Sequence, residues 1–253
     1  MWVFCCGPVR SGSTLQFNIT RSILEESKKG FTVEYDYSDN FPAIFNKYKD
    51  IEGFKVFKTH SITPFMEKLI YEDKAYVIGC YRDIRDVLVS ITKKQNKSFE
   101  KIFTKDFVFN YIKYNKHIKK LPNSMISRYE RFYCNIYDEA SRIADFLGVE
   151  IDDRIKNEIN EKHSFLNVSK NINVNKMEKF ISKNGKEFIL DKKTLVHHDH
   201  FGNIHPNSFN SDLNKNQINK IERVSGLWLF QNGYKVSLFN LLFNLLIIIR
   251  KKN

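Results

Sequence analysis

The fold is decided by the stretch WVFCCGPVRSGST at residues 2–14. Its first five residues are apolar and stop at Gly7-Pro8, which predicts a short buried strand. Apolar residues then recur at helical spacing and predict a helix over residues 13–29 that ends at Gly30. A strand, a turn and a helix N-terminus together form an anion cradle, because unpaired backbone N–H groups and the helix dipole both point to the turn.

The turn has the glycine spacing of a nucleoside-triphosphate loop but lacks its lysine. Gly7 and Gly12 are spaced as in a Walker A loop, yet Ser13 stands where that loop has lysine, and the nearby cation is Arg10. Without the lysine and an evident Walker B acid, the chain is poorly equipped for a γ-phosphate and Mg²⁺. We therefore expect a nucleotide with fewer phosphates. A P-loop kinase-like phosphotransferase is the alternative function, and an ordinary tight turn the alternative structure.

Strand-length apolar runs alternate with helical segments along the chain. Strands are predicted at 31–37, 54–58, 75–81 and 124–129, and helices at 83–93, 99–119 and 135–147. This alternation predicts an α/β fold, a three-layer sandwich with a central parallel sheet and helices on both faces. Periodicity fades over 164–211, which indicates a functional loop region, and helical character returns at 213–233.

The composition is that of a globular chain with a basic excess. Of 253 residues, 42% are hydrophobic and 14% aromatic, which excludes a disordered chain. The formal net charge of +12 would by itself fit a nucleic-acid surface. The aromatic residues, however, lie in runs typical of a core and are not interleaved with Arg, so no nucleic-acid partner is expected.

The cysteines and the N-terminus indicate a cytoplasmic protein. The four cysteines have no spacing typical of a zinc or redox site, and free thiols fit a reducing compartment. The first residues, MWVFCCGP, have no basic region ahead of a long apolar stretch and do not resemble a signal peptide.

Two polar motifs follow predicted strands, where an open parallel sheet binds its ligand. Residues 58–60, K-T-H, close the strand FKVF, and Arg82 follows the strand that ends at residue 81. Ser90 lies two turns into the next predicted helix, so one phosphate can touch both side chains only if Arg82 curls over that helix face. Taken singly, Arg82 fits an ion pair with Asp83 or Asp86 equally well.

In this order, the loop, the K-T-H motif and the Arg–Ser pair resemble the family of sulfotransferases that use 3′-phosphoadenosine 5′-phosphosulfate (PAPS). The resemblance implies a P-loop-like sulfotransferase fold, with PAPS as co-substrate, 3′,5′-ADP (PAP) as product and no metal. It implies contacts to the 3′-phosphate from Arg82 and Ser90, and a tyrosine beside adenine at Tyr129. The 5′-phosphosulfate loop is implied at Arg10, Ser11, Gly12, Ser13 and Thr14.

The same resemblance implies the catalytic groups. Lys58 and Arg10 are the candidates to stabilise the bridging oxygen from which the sulfuryl group departs. His60 is the candidate general base, since an unperturbed histidine pKa near 6.5 leaves the ring mostly neutral at pH 7. Glycan-modifying relatives use a glutamate near the second strand instead, so Glu34 and Asp36 are the alternative bases.

The segment HDHFGN at residues 198–203 resembles a glycine-containing segment that closes over the 3′-phosphate in bacterial members of the family. This implies a cofactor contact at Gly202. The basic residue expected after it is absent, because residues 205–207 read H-P-N. The histidines around residue 200 match no usual zinc spacing, so no metal site is expected.

The acceptor-facing loops are predicted at 38–52, 61–73 and 167–211, whose composition fits a glycan, a lipid-linked or a small-molecule acceptor alike. We expect one sulfotransferase domain over 1–235 and an apolar-basic helix over 236–253. The apolar part is shorter than the roughly 20 residues that span a bilayer. It either packs on the domain or lies in a membrane interface, which would place the enzyme peripherally at the inner membrane face.

Overall fold

The computed structural model describes residues 1–164, 167, 177–181, 187–196 and 205–250. These residues fall into two compact units. The sheet unit comprises those within Met1–Tyr81 and Ile118–Phe201. The helical unit comprises those within Arg82–His117 and Gly202–Asn253.

The sheet unit is built on five parallel strands in the order β2-β3-β1-β4-β5. The strands are β1 Trp2–Cys6, β2 Gly30–Thr32, β3 Phe54–Thr59, β4 Ala75–Tyr81 and β5 Ser124–Arg128. Cys6 pairs in register with Thr59 of β3 and with Gly79 of β4. The carboxyl ends of these three strands therefore meet at one edge, where ligands of such sheets bind.

The other regular elements of the described residues are α-helices, a 3₁₀ helix at Ser38–Asn40 and a hairpin. The helices are α1 Ser13–Glu26, α2 Phe41–Tyr48, α3 Pro64–Tyr71, α4 Ile84–Gln95, α5 Phe99–Ile102, α6 Lys105–Ile118, α7 Tyr129–Cys134, α8 Ile136–Leu147, α9 Asp153–His163, α10 Phe209–Asp212, α11 Lys215–Gln231 and α12 Leu238–Arg250. An antiparallel hairpin pairs β6 Met177–Ile181 with β7 Glu187–Asp191. Within the described residues, no helix has the length and hydropathy needed to cross a bilayer.

Both faces of the sheet are covered by helices. Side chains alternate along β1, so Val3 and Cys5 join the buried core formed with α1 and α8. Trp2 and Phe4 point the other way, and their ring centroids lie 4.9 and 5.1 Å from that of Phe41 on α2. Fully burying each such side chain contributes about 1.5–3 kcal/mol. The predicted three-layer α/β fold is confirmed.

The first helix ends earlier than its sequence predicts. α1 ends at Glu26, and the left-handed residue after it is Lys28, with φ 56°, rather than Gly30. Gly30 instead begins β2, and a Cβ there would lie 2.5 Å from the carbonyl oxygen of Phe54. The glycine is therefore required for close packing against β3 and does not stop the helix.

The strand predicted at residues 31–37 is also shorter. β2 pairs with β3 only through Thr32, although Val33 still donates its N–H to the Val56 carbonyl at 3.1 Å. Beyond this point Glu34 turns to Lys47 and Tyr48 of α2. Alternating residues predict a longer strand, but the chain leaves β3 after Val33, although β3 itself continues to Thr59.

The helix predicted at 99–119 is two helices, because the Oγ1 of Thr104 accepts a hydrogen bond from the Phe107 N–H at 3.0 Å and caps a new start. Sequence patterning also misses α2, α3 and α9. The first two lie inside segments predicted as acceptor loops. The β6–β7 hairpin lies inside the long segment that shows no periodicity.

Candidate active site

The phosphate loop, residues 7–14, connects β1 directly to α1. Gly12 lies at the N-terminus of α1 with φ 94°, a left-handed conformation that favours glycine. The first intrahelical hydrogen bond runs from Gln16 N–H to the Gly12 carbonyl at 3.1 Å. The amides of Ser13 and Thr14 precede that bond, and the first turn of α1 carries no acidic residue. The loop is thus suited to an anion.

A buried serine–cysteine contact fixes the loop to the sheet. The Oγ of Ser11 donates to the Pro8 carbonyl at 2.6 Å and lies 3.2 Å from the Sγ of Cys80 on β4. A Cβ on Gly7 would lie 2.7 Å from that Oγ and 2.8 Å from that Sγ, so only glycine fits. Burial raises the pKa of Cys80, which keeps its thiol protonated. Nothing in the local sequence marks Cys80, because only the strand register brings it under the loop.

The His60 side chain is hydrogen-bonded to the backbone of the phosphate loop. The His60 Nδ1 lies 3.0 Å from the carbonyl oxygen of Gly7. A carbonyl oxygen can only accept, so Nδ1 carries a proton, and when the ring is neutral the lone pair is on Nε2. The Nζ of Lys58 lies 3.5 Å from that Nε2. Lys58 is buried in β3, whereas His60 is exposed.

The alternative bases are engaged elsewhere. Glu34 accepts hydrogen bonds from Lys47 and from the hydroxyl of Tyr48, and the bond with Lys47 lowers the pKa of Glu34. Asp36 accepts from the Tyr37 N–H at 2.7 Å and from the amide of Asn40 at 2.9 Å. Both carboxylates thus stabilise the segment after β2.

Tyr129 lies directly against the phosphate loop. It begins α7 rather than ending β5, which stops at Arg128. Its ring is so close to Gly12 that a Cβ there would lie 2.2 Å from the Cδ2 of Tyr129. Phe132 holds the ring edge to face, with centroids 5.5 Å apart. The predicted adenine-side residue is therefore adjacent to the predicted 5′-phosphosulfate loop.

In the helical unit, Arg82 and Ser90 are both buried, at 4% and 1% exposure. The hydroxyl of Tyr111 fixes the Arg82 backbone, because it accepts from the N–H and donates to the carbonyl, each at 2.8 Å. The local sequence gives no sign of this role for Tyr111, because the tyrosine lies 29 residues after Arg82. Ser90 lies within α4, as predicted.

Asp86 organises the surroundings of Arg82. Its carboxylate accepts the N–H of Asn207 at 2.8 Å and of Phe209 at 3.0 Å, and it lies 3.6 Å from the Arg82 guanidinium. Burial raises the pKa of Asp86, and the charge of Arg82 opposes that shift. The Arg82 guanidinium also donates to the carbonyl of His205 at 3.4 Å. Asp86 therefore joins the start of α4 to the segment before α10.

Two predictions fall largely outside the described residues. Gly202, with its segment 198–203, lies outside them, as do three of the histidines considered as metal ligands, at positions 197, 198 and 200. Among the residues that the structure describes, no group of three or more His, Cys, Asp and Glu side chains could hold a metal ion.

Several solved structures share this fold. Retinol dehydratase in complex with androsterone and inactive cofactor PAP is 17% identical, covers 93% of this chain and 82% of its own, and gives a TM-score of 0.62. Mouse sulfotransferase SULT7A1 complexed with PAP is 15% identical. The match covers 90% of this chain and 83% of the mouse chain, with a TM-score of 0.67. Retinol dehydratase with retinol and PAP is 16% identical, covers 93% and 82%, and gives 0.61.

Comparison with curated protein sequences finds no match to this chain. The family model described as the sulfotransferase domain matches residues 2–224 and so spans most of the chain. It includes the phosphate loop, the K-T-H motif and the Arg82–Ser90 pair. The chain therefore belongs to the sulfotransferase family, and the reaction class that follows is sulfuryl transfer.

Proposed function

We propose that this enzyme transfers the sulfuryl group of PAPS to a hydroxyl or amine of a glycan, a lipid-linked or a small-molecule acceptor, and releases PAP. The observation that carries the proposal is the His60–Gly7 hydrogen bond of 3.0 Å, which sets a base beside an anion-binding loop at one sheet edge. Retinol dehydratase and the mouse sulfotransferase, which share the fold, are each complexed with PAP.

The phosphate loop has the donors that a 5′-phosphosulfate requires. Amides at the start of α1 point to the anion, and the helix dipole adds favourable charge there. Gly12 keeps a side chain out of the space between this helix start and the Tyr129 ring. In this proposal Arg10 and Lys58 supply the positive charge, and Ser11 holds the loop shape through Pro8 and Cys80.

Arg82 and Ser90 are assigned to the 3′-phosphate of the same nucleotide. The proposal is supported by the burial of both groups, since a buried guanidinium and hydroxyl bind an oxyanion more strongly than exposed ones. Asp86 and the Tyr111 hydroxyl support the conformation of Arg82. Tyr129 is assigned to the adenine.

In the proposed reaction, His60 takes the acceptor proton on Nε2. The acceptor oxygen or nitrogen forms a bond to sulfur as the bond from sulfur to the 5′-phosphate oxygen breaks. Negative charge moves to that oxygen, where Lys58 and Arg10 stabilise it. The His60 ring is exposed, so its proton can then pass to solvent. General base catalysis of this kind contributes about 10²–10⁴-fold.

His60 is a better base than Glu34 or Asp36 in this arrangement. Its Nδ1–H bond to the Gly7 carbonyl leaves Nε2 as the acceptor for a proton. Glu34 is stabilised in its charged form by Lys47, which weakens it as a base. Asp36 is held by the Tyr37 N–H and the Asn40 amide.

The acceptor is proposed to approach over the segments 38–52 and 61–73, which carry α2 and α3. Retinol dehydratase, in the same fold, has been solved with androsterone and with retinol. We include residues 1–235 in one sulfotransferase domain, because the family match at 2–224 draws on both compact units. The free cysteines support a cytoplasmic location.

The direct test is transfer of radiolabelled sulfate from PAPS to small alcohols and amines, glycans, cell extracts and envelope fractions. A thermal-shift measurement separates the two nucleotide classes. Binding of 3′,5′-ADP should raise the Tm by mass action, whereas ATP with Mg²⁺ should not. Stabilisation by ATP–Mg²⁺ alone would instead favour the P-loop kinase alternative and overturn the proposal.

A further inference from the structure

Two asparagines of helix α12 face inward. Asn240 and Asn244 are buried, at 1% and 4% exposure. The amide of Asn240 donates to Asn219 at 2.8 Å and to Glu222 at 2.9 Å. Asn244 donates to the Arg223 and Val224 carbonyls and accepts the Leu227 N–H at 3.0 Å. All these partners are on α11, so the polar stripe of α12 is its packing face.

The opposite face of α12 is apolar and exposed. The residues of this face follow helical spacing and are between 39% and 69% exposed. They are Leu238, Phe239, Leu242, Phe243 and Leu246. Scattered exposed hydrophobic residues are ordinary on protein surfaces, but a contiguous helix face of this kind marks an interaction site. This set is called the α12 face below.

Packing fixes the orientation of α12, with its asparagines inward and its apolar face outward. A Cβ on Gly226 of α11 would lie 3.3 Å from the Asn240 carbonyl and 3.5 Å from the Asn244 Cβ, so the two helices approach closely there. Turning α12 about its axis would break the asparagine hydrogen bonds and place Leu or Phe in that narrow contact. The exposed apolar face is therefore built into the fold.

The sequence that carries the α12 face is basic. From residue 213 to residue 253 the sequence holds seven Lys and Arg residues and one acidic residue, Glu222. Glu222 is buried and paired with Arg85 at 2.7 Å, so it offers no negative charge at the surface. The Arg223 guanidinium lies 5.9 and 5.2 Å from the ring centroids of Phe239 and Phe243. A cation thus lies over the rings of the apolar face.

The length of α12 restricts how it can meet a membrane. Its 13 residues measure about 20 Å, short of the roughly 30 Å of a hydrocarbon core. A helix with one apolar face and flanking basic residues lies in the plane of the interface, with its apolar side chains below the headgroups. The sequence adds Arg250, Lys251 and Lys252 directly after the apolar run.

We propose that the α12 face docks on an anionic lipid surface. Five large apolar side chains would enter the interface, and the surrounding Lys and Arg residues would pair with anionic headgroups. A second copy of the chain is a poorer occupant, because two such surfaces would bring like charges together. The proposal does not depend on the sulfuryl-transfer reaction.

The test is vesicle flotation of the full chain with two lipid compositions. Vesicles of phosphatidylcholine with one third phosphatidylglycerol should bind it at least about tenfold more tightly than phosphatidylcholine alone. High salt should reduce this binding. The double variant Leu242→Glu/Leu246→Glu changes only exposed positions and should lose binding at least tenfold, with an unchanged Tm.

A matched control places the same two charges elsewhere. Ile51→Glu/Tyr71→Glu replaces exposed hydrophobic residues of the sheet unit and should bind vesicles like the wild type. The proposal is overturned if the wild type binds neither vesicle, binds both equally, or if the control loses binding as well. A wild-type dimer that Leu242→Glu/Leu246→Glu dissociates would assign the α12 face to a second copy and would also overturn it. Sulfate transfer to a soluble acceptor, measured on the wild type and on Leu242→Glu/Leu246→Glu, reports on the proposed function separately.

Discussion

The Nδ1 of His60 donates to the carbonyl oxygen of Gly7 at 3.0 Å, so the phosphate loop determines the tautomer of the proposed base. The bond joins the residue after β3 to the residue after β1, two strands paired in register through Cys6 and Thr59. Anion binding and proton acceptance are thereby linked through one short segment of backbone.

Replacing His60 with alanine should lower kcat at least about a hundredfold, because the acceptor would lose its general base. The Kd of 3′,5′-ADP, measured by calorimetry, should stay within about twofold, since the amides of the phosphate loop are unchanged. Glu34→Gln is the control and should keep near-wild-type turnover. If His60→Ala turns over normally and Glu34→Gln or Asp36→Asn does not, the base is one of those carboxylates.

Ser90→Ala should weaken recognition of the 3′-phosphate. The wild type should bind 3′,5′-ADP more tightly than 5′-AMP, and the variant should lose about tenfold or more of that preference, since a hydrogen bond to a charged group contributes about 1.5–3 kcal/mol. Thr92→Ala is the control. It removes a hydroxyl from the same helix, one that donates to the Leu88 carbonyl at 2.8 Å, and the variant should keep the preference. An equal loss in both variants would mean that α4 is merely destabilised.

Gly12→Ala should be more damaging than an alanine at another left-handed glycine. Gly12 and Gly148 have φ of 94° and 66°, but a Cβ at Gly148 meets nothing within 4 Å, whereas one at Gly12 meets the Tyr129 ring at 2.2 Å. Gly148→Ala should cost about 1–2 kcal/mol of unfolding free energy from backbone strain alone. Gly12→Ala should cost about 1–3 kcal/mol more from overpacking, measured by urea unfolding.

The clash can be tested separately from the backbone strain. Adding Tyr129→Ala to Gly12→Ala removes the ring and should recover stability relative to the sum of the two single variants. Strict additivity of the two changes would contradict the contact between Gly12 and Tyr129.

His163 should make the protein less stable in mild acid. Its Nε2 lies 2.8 Å from the Ser22 Oγ, and burial lowers the pKa of His163 from 6.5 to about 3. The unfolded chain takes up this proton near pH 6.5 and the folded chain only near pH 3. The contribution to stability is therefore full above pH 6.5 and is lost as the pH falls from there towards 3. At pH 5 the free energy of unfolding is lower by about 2 kcal/mol. His163→Gln should lose less Tm than the wild type between pH 7.5 and pH 5; parallel curves would contradict the assignment.

The elements that the sequence predicts well are those whose signal is local. β1 and β4 have the predicted bounds because buried parallel strands are continuous apolar runs, which end at Gly7-Pro8 in β1 and at Arg82 in β4. α8 ends at Gly148 as expected, since a left-handed glycine closes it. The phosphate loop is recognisable because it directly follows β1, and residues 58–60 because they close β3, which runs one residue further than predicted, to Thr59.

The features that the sequence hides depend on partners distant along the chain. Lys28 rather than Gly30 closes α1, because Gly30 is needed where the chain passes against Phe54. Cys80 lies under the phosphate loop only through the pairing of β4 with β1. Tyr111 fixes the backbone of Arg82 from another helix. None of these contacts leaves a periodic trace in the sequence.

The placement of the four thiols makes the enzyme suitable for labelling at one position. Cys5, Cys6 and Cys80 are buried in strands β1 and β4, and burial raises the pKa of Cys5 to about 12. Cys134, at the end of α7, is exposed. Because the thiolate is the reacting form, a maleimide dye should attach at Cys134 alone while the fold is intact. A fluorophore there would sit on the same short helix as Tyr129 and report nucleotide binding without any engineered cysteine.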